Sequence, residues 1–126
     1  MSAALLLAGA LFAQAPAQAP LMVMGGGADR VDVAYEELMA GQNRLAIEII
    51  TSSRLDDRRD PAAMINLGTA HARLGDKQLA KSCYEAAIAS RDRYDLQLAD
   101  GTWRDSRRAA REAIAALGQG RILALR

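Results

Sequence analysis

The residues of this chain that could do chemistry are few and stand apart. His71 is the only histidine and Cys83 the only cysteine. A catalytic site needs a nucleophile, an acid–base pair or a metal held in a cleft. His71 has no second histidine or cysteine at a metal-ligand spacing, and no Ser or Thr stands in a nucleophile elbow. The sequence therefore predicts a protein that is not an enzyme and that has no cofactor.

Two further groups of residues suggest ligand chemistry at first sight. Asp56, Asp57 and Asp60 lie close together, but they lack the glycine and the distal glutamate of a calcium loop. The glycines at 25–27 follow no predicted strand and open no phosphate-binding loop. A single cysteine excludes an internal disulfide framework, and we expect Cys83 to be buried in a core. We predict no metal site.

Composition favours packed helices and disfavours nucleic acid as a partner. The chain has 126 residues, enough for one domain, and 51% of them are hydrophobic while only 4% are aromatic. A core of Ala, Leu and Ile suits closely packed helices better than a sheet sandwich. The formal charge of +1 is too small for a protein whose binding depends on phosphate contacts.

The N-terminus has the composition of an export signal. Residues 1–13 form an apolar run that is too short for a membrane span of ~20 residues. We predict a signal peptide at residues 1–17, cut before Gln18, and hence a periplasmic protein, with secretion as the alternative. The run lacks a basic segment, because no Lys or Arg precedes Arg30. An uncleaved hydrophobic tail and a helix belonging to the fold are the other interpretations.

Residues 18–28 are predicted to be a flexible linker, because they contain Pro and three glycines without a helical period. Their apolar residues 21–24 either cover the first helix or contact a partner.

Residues 60–90 predict two helices folded back on each other. Asp60–Pro61 suits the start of the first helix, Gly75 a turn, and Asp76 the start of the second. The apolar positions recur at helical spacing in both halves. They are Met64, Leu67, His71 and Leu74, and then Leu79, Ala80, Cys83, Tyr84, Ala87 and Ile88.

This helix pair resembles a tetratricopeptide repeat, a 34-residue unit with large and small residues at fixed offsets. The matching positions are Met64, Leu67, Gly68, His71, Ala80, Tyr84 and Ala87. His71 replaces the usual aromatic residue, and Asp92 stands near the usual repeat-ending proline. Gly68 and Ala80 would let the helices approach closely.

A shift of 34 residues aligns the preceding segment with this unit. The aligned pairs are Ala34 with Gly68, Gly41 with Gly75, Leu45 with Leu79, Ala46 with Ala80, and Ile50 with Tyr84. We therefore predict repeats at about 27–60 and 61–94, within a helical domain at 29–126. The first repeat would have a helix from Asp29 or Asp32 to Ala40 and a second from Asn43 to Ser53, burying Leu45 and Ala46. Alternating charges at 54–60 predict a solvated linker between the repeats.

The last helix is predicted at about 102–117, with Thr102 and Asp105 as a capping box. Its inward face would hold Trp103, Ala110, Ile114 and Leu117, and it would cap the array. Its outer face is basic, and it is either a docking stripe for an anionic partner or a solvated face partly neutralised by Asp105 and Glu112. The stripe is Arg104, Arg107, Arg108 and Arg111. The fold class is thus all-α, with two stacked hairpins in a short right-handed solenoid and a C-terminal capping helix.

The resemblance implies binding through a groove lined by the first helix of each repeat. The positions carried over are Val31, Tyr35, Leu38, Ile65, Thr69, Ala72 and Arg73. Some family members clamp a carboxylate with a Lys and two Asn. Only Asn66 matches that clamp here, so we do not expect one. An apolar groove suits an apolar helix or an extended segment, at ~25 cal/mol per Å² of buried surface.

The leading hypothesis is a non-catalytic adaptor or scaffold of the cell envelope that binds another protein. The first alternative is a self-associating structural protein, a homodimer for instance, whose groove is filled by residues 21–24 or by a second copy. The second is a membrane-tethered or intracellular module with an uncut N-terminus. The third is an enzyme with an unrecognised site, in which His71→Phe would abolish activity.

Overall fold

The structure is a computed structural model that describes residues 23–24 and 33–119. In chain order its elements are β1 (Val23–Met24), α1 (Tyr35–Met39), α2 (Asn43–Ser52), α3 (Pro61–Arg73), α4 (Lys77–Ala89), β2 (Asp95–Leu98), β3 (Trp103–Asp105) and α5 (Ser106–Gly118). Helices dominate the described part, as predicted. The predicted signal peptide at residues 1–17, Val31 and the tail 121–126 lie outside it.

The turns of the two helix hairpins repeat at the predicted spacing. Gly41 and Gly75 both adopt the left-handed conformation, with φ of 74° and 87°. The Gly41 amide donates to the Leu38 carbonyl at 3.1 Å, and the Gly75 amide to the Ala72 carbonyl at 3.0 Å. A glycine reaches this conformation without the steric cost of a Cβ atom. Each turn is followed by a helix that begins two residues later, at Asn43 and at Lys77.

The first hairpin differs from the prediction at its start. We expected its first helix to begin at Asp29 or Asp32, but α1 begins only at Tyr35. The preceding residue, Ala34, has φ of 59° and lies in the left-handed region, which an L-residue with a Cβ atom enters at a cost. Ala34 is fully buried, so this backbone conformation lies inside the core. Its alignment with Gly68 in mid-helix therefore does not hold structurally.

The second hairpin forms as its small residues predict. A Cβ atom placed on Gly68 would lie 2.6 Å from Tyr84 Cε1 and 3.1 Å from the Ala80 carbonyl oxygen. Only glycine permits this approach of α3 to α4. Asp60 and Asp76 cap the two helices, and their carboxylates accept from the Ala63 and Leu79 amides at 2.9 and 3.0 Å.

The helices stack around α3, which contacts α1, α2, α4, α5 and β1. Its side chains from Pro61 to Ala70 are all buried. Ala46 and Ala80 are both fully buried, as are Ile50 and Tyr84. The aligned positions of the second helices are therefore equally buried in the two hairpins.

A small sheet, which was not predicted, accompanies the helices of the described part. Strand β2 pairs antiparallel with β3 and with β1, in the order β1-β2-β3. Val23 and Met24, which belong to the predicted linker at 18–28, pair with Leu98 and Gln97. The segment between α4 and α5 thus contains a strand that buries Leu96 and Leu98.

The start of the last helix is also corrected. Thr102 is not the cap, because residues 103–105 form β3 and α5 begins at Ser106. The cap is Asp105, whose carboxylate accepts from the Arg108 amide at 3.1 Å. Trp103 was predicted to be buried, yet it is 61% exposed. Leu45, Leu74 and Leu79, expected on buried stripes, are exposed as well.

Candidate functional site

Most of the predicted groove residues lie in the protein core. Leu38, Ile65, Thr69 and Ala72 are each no more than 1% exposed. The Thr69 hydroxyl lies 3.1 Å from the Tyr84 hydroxyl, and this hydrogen bond joins α3 to α4. Buried side chains of this kind contact a partner only if the surrounding elements move away. These residues lie on the predicted helices, but the face that they share is covered by other parts of the chain.

The two polar residues of that groove are partly buried. Arg73 Nη1 donates to the Leu38 carbonyl at 2.7 Å and to Asn43 Oδ1 at 3.3 Å, which ties the two hairpin turns together. Burial lowers the pKa of Arg73. Tyr35 is half-buried against the core. Asn66, the one residue that matched a carboxylate clamp, is buried and donates to the Val33 carbonyl at 2.8 Å.

The predicted basic stripe is largely engaged within the chain. Arg104 Nη1 lies 2.7 Å from both carboxylate oxygens of Glu112, and Arg108 Nε lies 3.1 Å from Glu112 Oε1. Arg107 donates to the Ser90 carbonyl at 3.2 Å. Arg111 is exposed. A partner would compete with these intramolecular contacts at three of the four arginines.

Asp105, the acid expected to neutralise this face, pairs with Arg93 from the preceding loop. Arg93 Nε lies 2.7 Å from Asp105 Oδ2. This hydrogen bond holds the pKa of the Asp105 carboxyl below its usual value.

The chemical environments of His71 and Cys83 are those of packed residues. Burial lowers the pKa of His71, and the Asp76 carboxylate partly offsets that effect. Burial raises the pKa of the Cys83 thiol to about 11, and the Asp56 and Asp76 carboxylates add to the rise. The thiol is therefore protonated at neutral pH, and a thiol is a poor nucleophile.

Metal binding and membrane insertion each have structural requirements that can be checked in the described residues. Within 23–24 and 33–119, no group of three or more His, Cys, Asp or Glu side chains is placed to hold a metal ion. None of the helices in this part is long and apolar enough to cross a bilayer.

An open groove of about 480 Å³ lies between α4 and α5. We call it the α4–α5 groove. Its lining is Lys77, Gln78 and Lys81 from α4, and Ile114, Leu117 and Gly118 from α5. The α4 side chains are exposed, and the α5 wall is apolar. The groove can therefore accept an apolar group at its floor and a negative charge at its rim.

Sequence reasoning missed this groove because its two walls come from different predicted units. Ile114 and Leu117 were assigned to the inward face of a capping helix. Lys77 and Lys81 lie at helical spacing beside a buried stripe of α4. This spacing does not predict that α5 lies along them.

Comparison of the chain with protein-family models, with curated proteins and with solved structures finds no match.

Proposed function

We propose that this protein is a non-catalytic interaction module of the tetratricopeptide-repeat type, which binds a protein segment in the α4–α5 groove. The observation that carries the proposal is the groove between α4 and α5, with Ile114 and Leu117 on one wall and exposed α4 side chains on the other, beside two hairpins whose turns repeat with the same hydrogen bonds. The helix contacts support a short solenoid, because α5 lies against α3 and α4 as α3 lies against α1 and α2. Its right-handed sense is what the resemblance implies. In this proposal the binding surface lies between α4 and α5 and not on the predicted face of α3.

A matched pair of substitutions tests this function. A Cβ atom on Gly118 meets nothing within 4 Å, so Gly118→Leu fills the groove without disturbing its walls. Ala115→Leu adds the same side chain at an exposed position of α5 outside the lining. We expect the wild type and Ala115→Leu to retain the same envelope protein in affinity capture, and Gly118→Leu to lose it. Equal capture by all three would refute the groove as the binding site.

We also propose that the protein acts in the cell envelope, after export to the periplasm. The support is the apolar run at residues 1–13 followed by small residues and prolines. Intact-mass measurement of the exported protein tests this, and retention of residues 1–17 would contradict the cleaved signal.

Self-association is the second candidate function, and exposed apolar side chains favour it. Met39 and Leu45 on the first hairpin, and Leu74 and Leu79 on the second, are each 42–54% exposed near the two turns. A second copy could cover them. Sedimentation of the mature chain decides: a stable monomer at micromolar concentration removes this candidate, and a dimer weakened by Leu45→Lys and Leu79→Lys supports it.

A further inference from the structure

The outer edge of β2 is the place where a distant part of the chain attaches to the described core. Strand β1 has two residues and pairs antiparallel with β2, Val23 with Leu98 and Met24 with Gln97. It also lies against α3, the helix around which the other helices stack. The β2 edge and α3 together thus accept a short extended segment. We call this place the β2 edge site.

The hydrogen-bonding direction of β2 identifies the pair that holds β1. The Leu98 amide donates to the Thr102 carbonyl at 2.8 Å, and the Leu98 carbonyl accepts from the Gly101 amide at 2.9 Å. Leu98 therefore directs its backbone groups away from β1. Its neighbour Gln97 directs its own toward β1, because the direction alternates along a strand. Met24 is the residue opposite Gln97, so the two described residues of β1 are held by one hydrogen-bonded pair.

The sequence that follows β1 disfavours a longer strand. Met24 is followed by three glycines at 25–27, and glycine is depleted in strands because it has the largest backbone entropy to lose. The net contribution of a single backbone hydrogen bond to stability is small. One hydrogen-bonded pair beside three glycines is therefore a weak attachment, and β1 can leave the β2 edge site by local opening while the hairpins stay folded.

The connection between β1 and the first hairpin is long enough for β1 to reach another molecule. Residues 25–32 separate β1 from Val33. Eight extended residues span up to about 26–29 Å. The pairing of β1 shows which residues the β2 edge site accepts, and a second copy of this chain carries the same residues and the same edge. Exchange between two copies therefore satisfies both edges at once.

We propose that β1 is exchanged between two copies of this chain, so that β1 of each copy pairs with β2 of the other in a reciprocal dimer. Exchange of this kind replaces a contact within one chain by the same contact between two chains, which makes it a low-cost route to a dimer. The inference goes beyond the proposed function, because it uses neither the α4–α5 groove nor the exposed leucines of the two hairpins.

Disulfide trapping in the full chain tests the exchange. The Cα atoms of a hydrogen-bonded pair such as Met24 and Gln97 lie about 5.5 Å apart, which suits a disulfide. One preparation carries Met24→Cys and the other Gln97→Cys, each with Cys83→Ala to remove the native thiol and each with its own affinity tag. The two are mixed and oxidised. We expect a covalent heterodimer whose share rises with protein concentration, because the exchange is an association.

Two further variants calibrate this result. Gln42→Cys replaces Gln97→Cys in the control mixture and places a more exposed thiol in the first hairpin turn. We expect at least about tenfold less heterodimer there, because only thiols that are docked side by side have a raised effective concentration. Deletion of residues 25–27 shortens the hinge, and a short hinge favours exchange over pairing within one chain. It should therefore raise the share of heterodimer.

A chain that carries both Met24→Cys and Gln97→Cys completes the test. A disulfide within this chain, with no more heterodimer than in the control mixture at any concentration, would show that β1 stays on its own β2 and would overturn the exchange. Absence of both disulfides, in variants whose melting curves show a folded protein, would overturn the β2 edge site itself. Loss of the heterodimer in a background of Leu45→Lys and Leu79→Lys would assign the association to the exposed leucines and overturn the inference.

Discussion

The two hairpins share a turn but not a first helix. Helix α1 has 5 residues and α3 has 13, while α2 and α4 have 10 and 13. Both turns place a glycine in the left-handed conformation, and both second helices bury an alanine one turn after their start. The 34-residue spacing thus holds for the turn and for the start of the second helix, but not for the length of the first helix.

The interiors of the hairpins differ in polarity as well as in size. The first hairpin fills the space beside its helices with Ile50, and the second fills it with Tyr84 over Gly68. Tyr84 adds a buried hydroxyl that requires Thr69 as a partner. The second hairpin therefore has a larger and more specific contact, and we expect it to contribute more to the stability of the fold.

The largest expected effect breaks this contact directly. Tyr84→Ala should lower the free energy of unfolding by about 3–5 kcal/mol, and Ile50→Ala by about 2–5 kcal/mol, with Tyr84→Ala the more costly. Leu79→Ala, at a position 47% exposed, is the control and should change stability by no more than ~0.5 kcal/mol. Urea denaturation measures all three. A larger loss for Ile50→Ala would contradict the ranking of the hairpins.

Alkaline pH should destabilise the protein through the second hairpin. Burial raises the pKa of Tyr84 from 10.0 to about 12 and that of Cys83 from 9.0 to about 11. Both side chains are neutral in the folded protein, so their contribution to stability is complete below pH 9. It is lost as pH rises from the ordinary pKa of each side chain to its raised value. A shift of two units corresponds to roughly 2–3 kcal/mol.

The control for this prediction removes both groups. In the double variant Cys83→Ala, Tyr84→Phe the loss of stability between pH 9 and pH 12 should be smaller than in the wild type. Parallel pH curves for the two proteins would show that other groups cause the alkaline transition.

The close approach of α3 and α4 predicts a coupled effect. Gly68→Ala places a methyl group 2.6 Å from the Tyr84 ring, which costs about 1–3 kcal/mol and outweighs a gain of ~1 kcal/mol in helix propensity. In a Tyr84→Ala background the clash with the ring disappears and only the 3.1 Å approach to the Ala80 carbonyl oxygen remains, so Gly68→Ala should cost less there than in the wild type. Additive effects in this double-mutant cycle would contradict the contact.

The two glycine turns should lose the same stability on substitution if their structures are equivalent. Gly41→Ala and Gly75→Ala each introduce a Cβ atom at a left-handed position with no neighbour within 4 Å, so the cost is backbone strain alone. We expect each to lose about 1–2 kcal/mol. Thermal melting of the two variants checks this, and costs that differ by more than ~1 kcal/mol would distinguish the turns.

The smallest expected effect concerns His71. Burial lowers the pKa of His71 below 6.5 in the folded protein, so the unfolded chain takes up a proton at a higher pH than the folded one does. The stability of the fold therefore falls as pH drops through 6.5. His71→Phe should remove this acidic loss, which urea denaturation of the two proteins at pH 5 and pH 7.5 would measure. A variant that fails to fold would contradict the packing role.

Local sequence signals predicted the hairpins well. The glycines at 41 and 75, the capping aspartates at 60 and 76, and the buried Ala46, Ala80 and Tyr84 each depend on residues within one or two turns of the chain. The sequence also indicated the positions of α3 and α4 to within a residue or two.

Long-range contacts explain what the sequence did not predict. Strand β2 is four residues long and pairs with β1, which lies far back in the sequence. The alternation of Leu96 and Leu98 before Asp100–Gly101 was a hairpin signal, but it was too short to outweigh the helical pattern around it. Most of the predicted groove residues are buried for the same reason, because what covers α3 is set by the packing of the other elements.

The most direct test of the stacked hairpins is a set of nuclear Overhauser contacts between their first helices. The account predicts cross-peaks between Val33 and Asn66 and between Leu38 and Arg73, where side chains of α3 donate to carbonyls of the first hairpin at 2.8 and 2.7 Å. Cross-peaks within each hairpin, with none between residues 33–38 and α3, would contradict it.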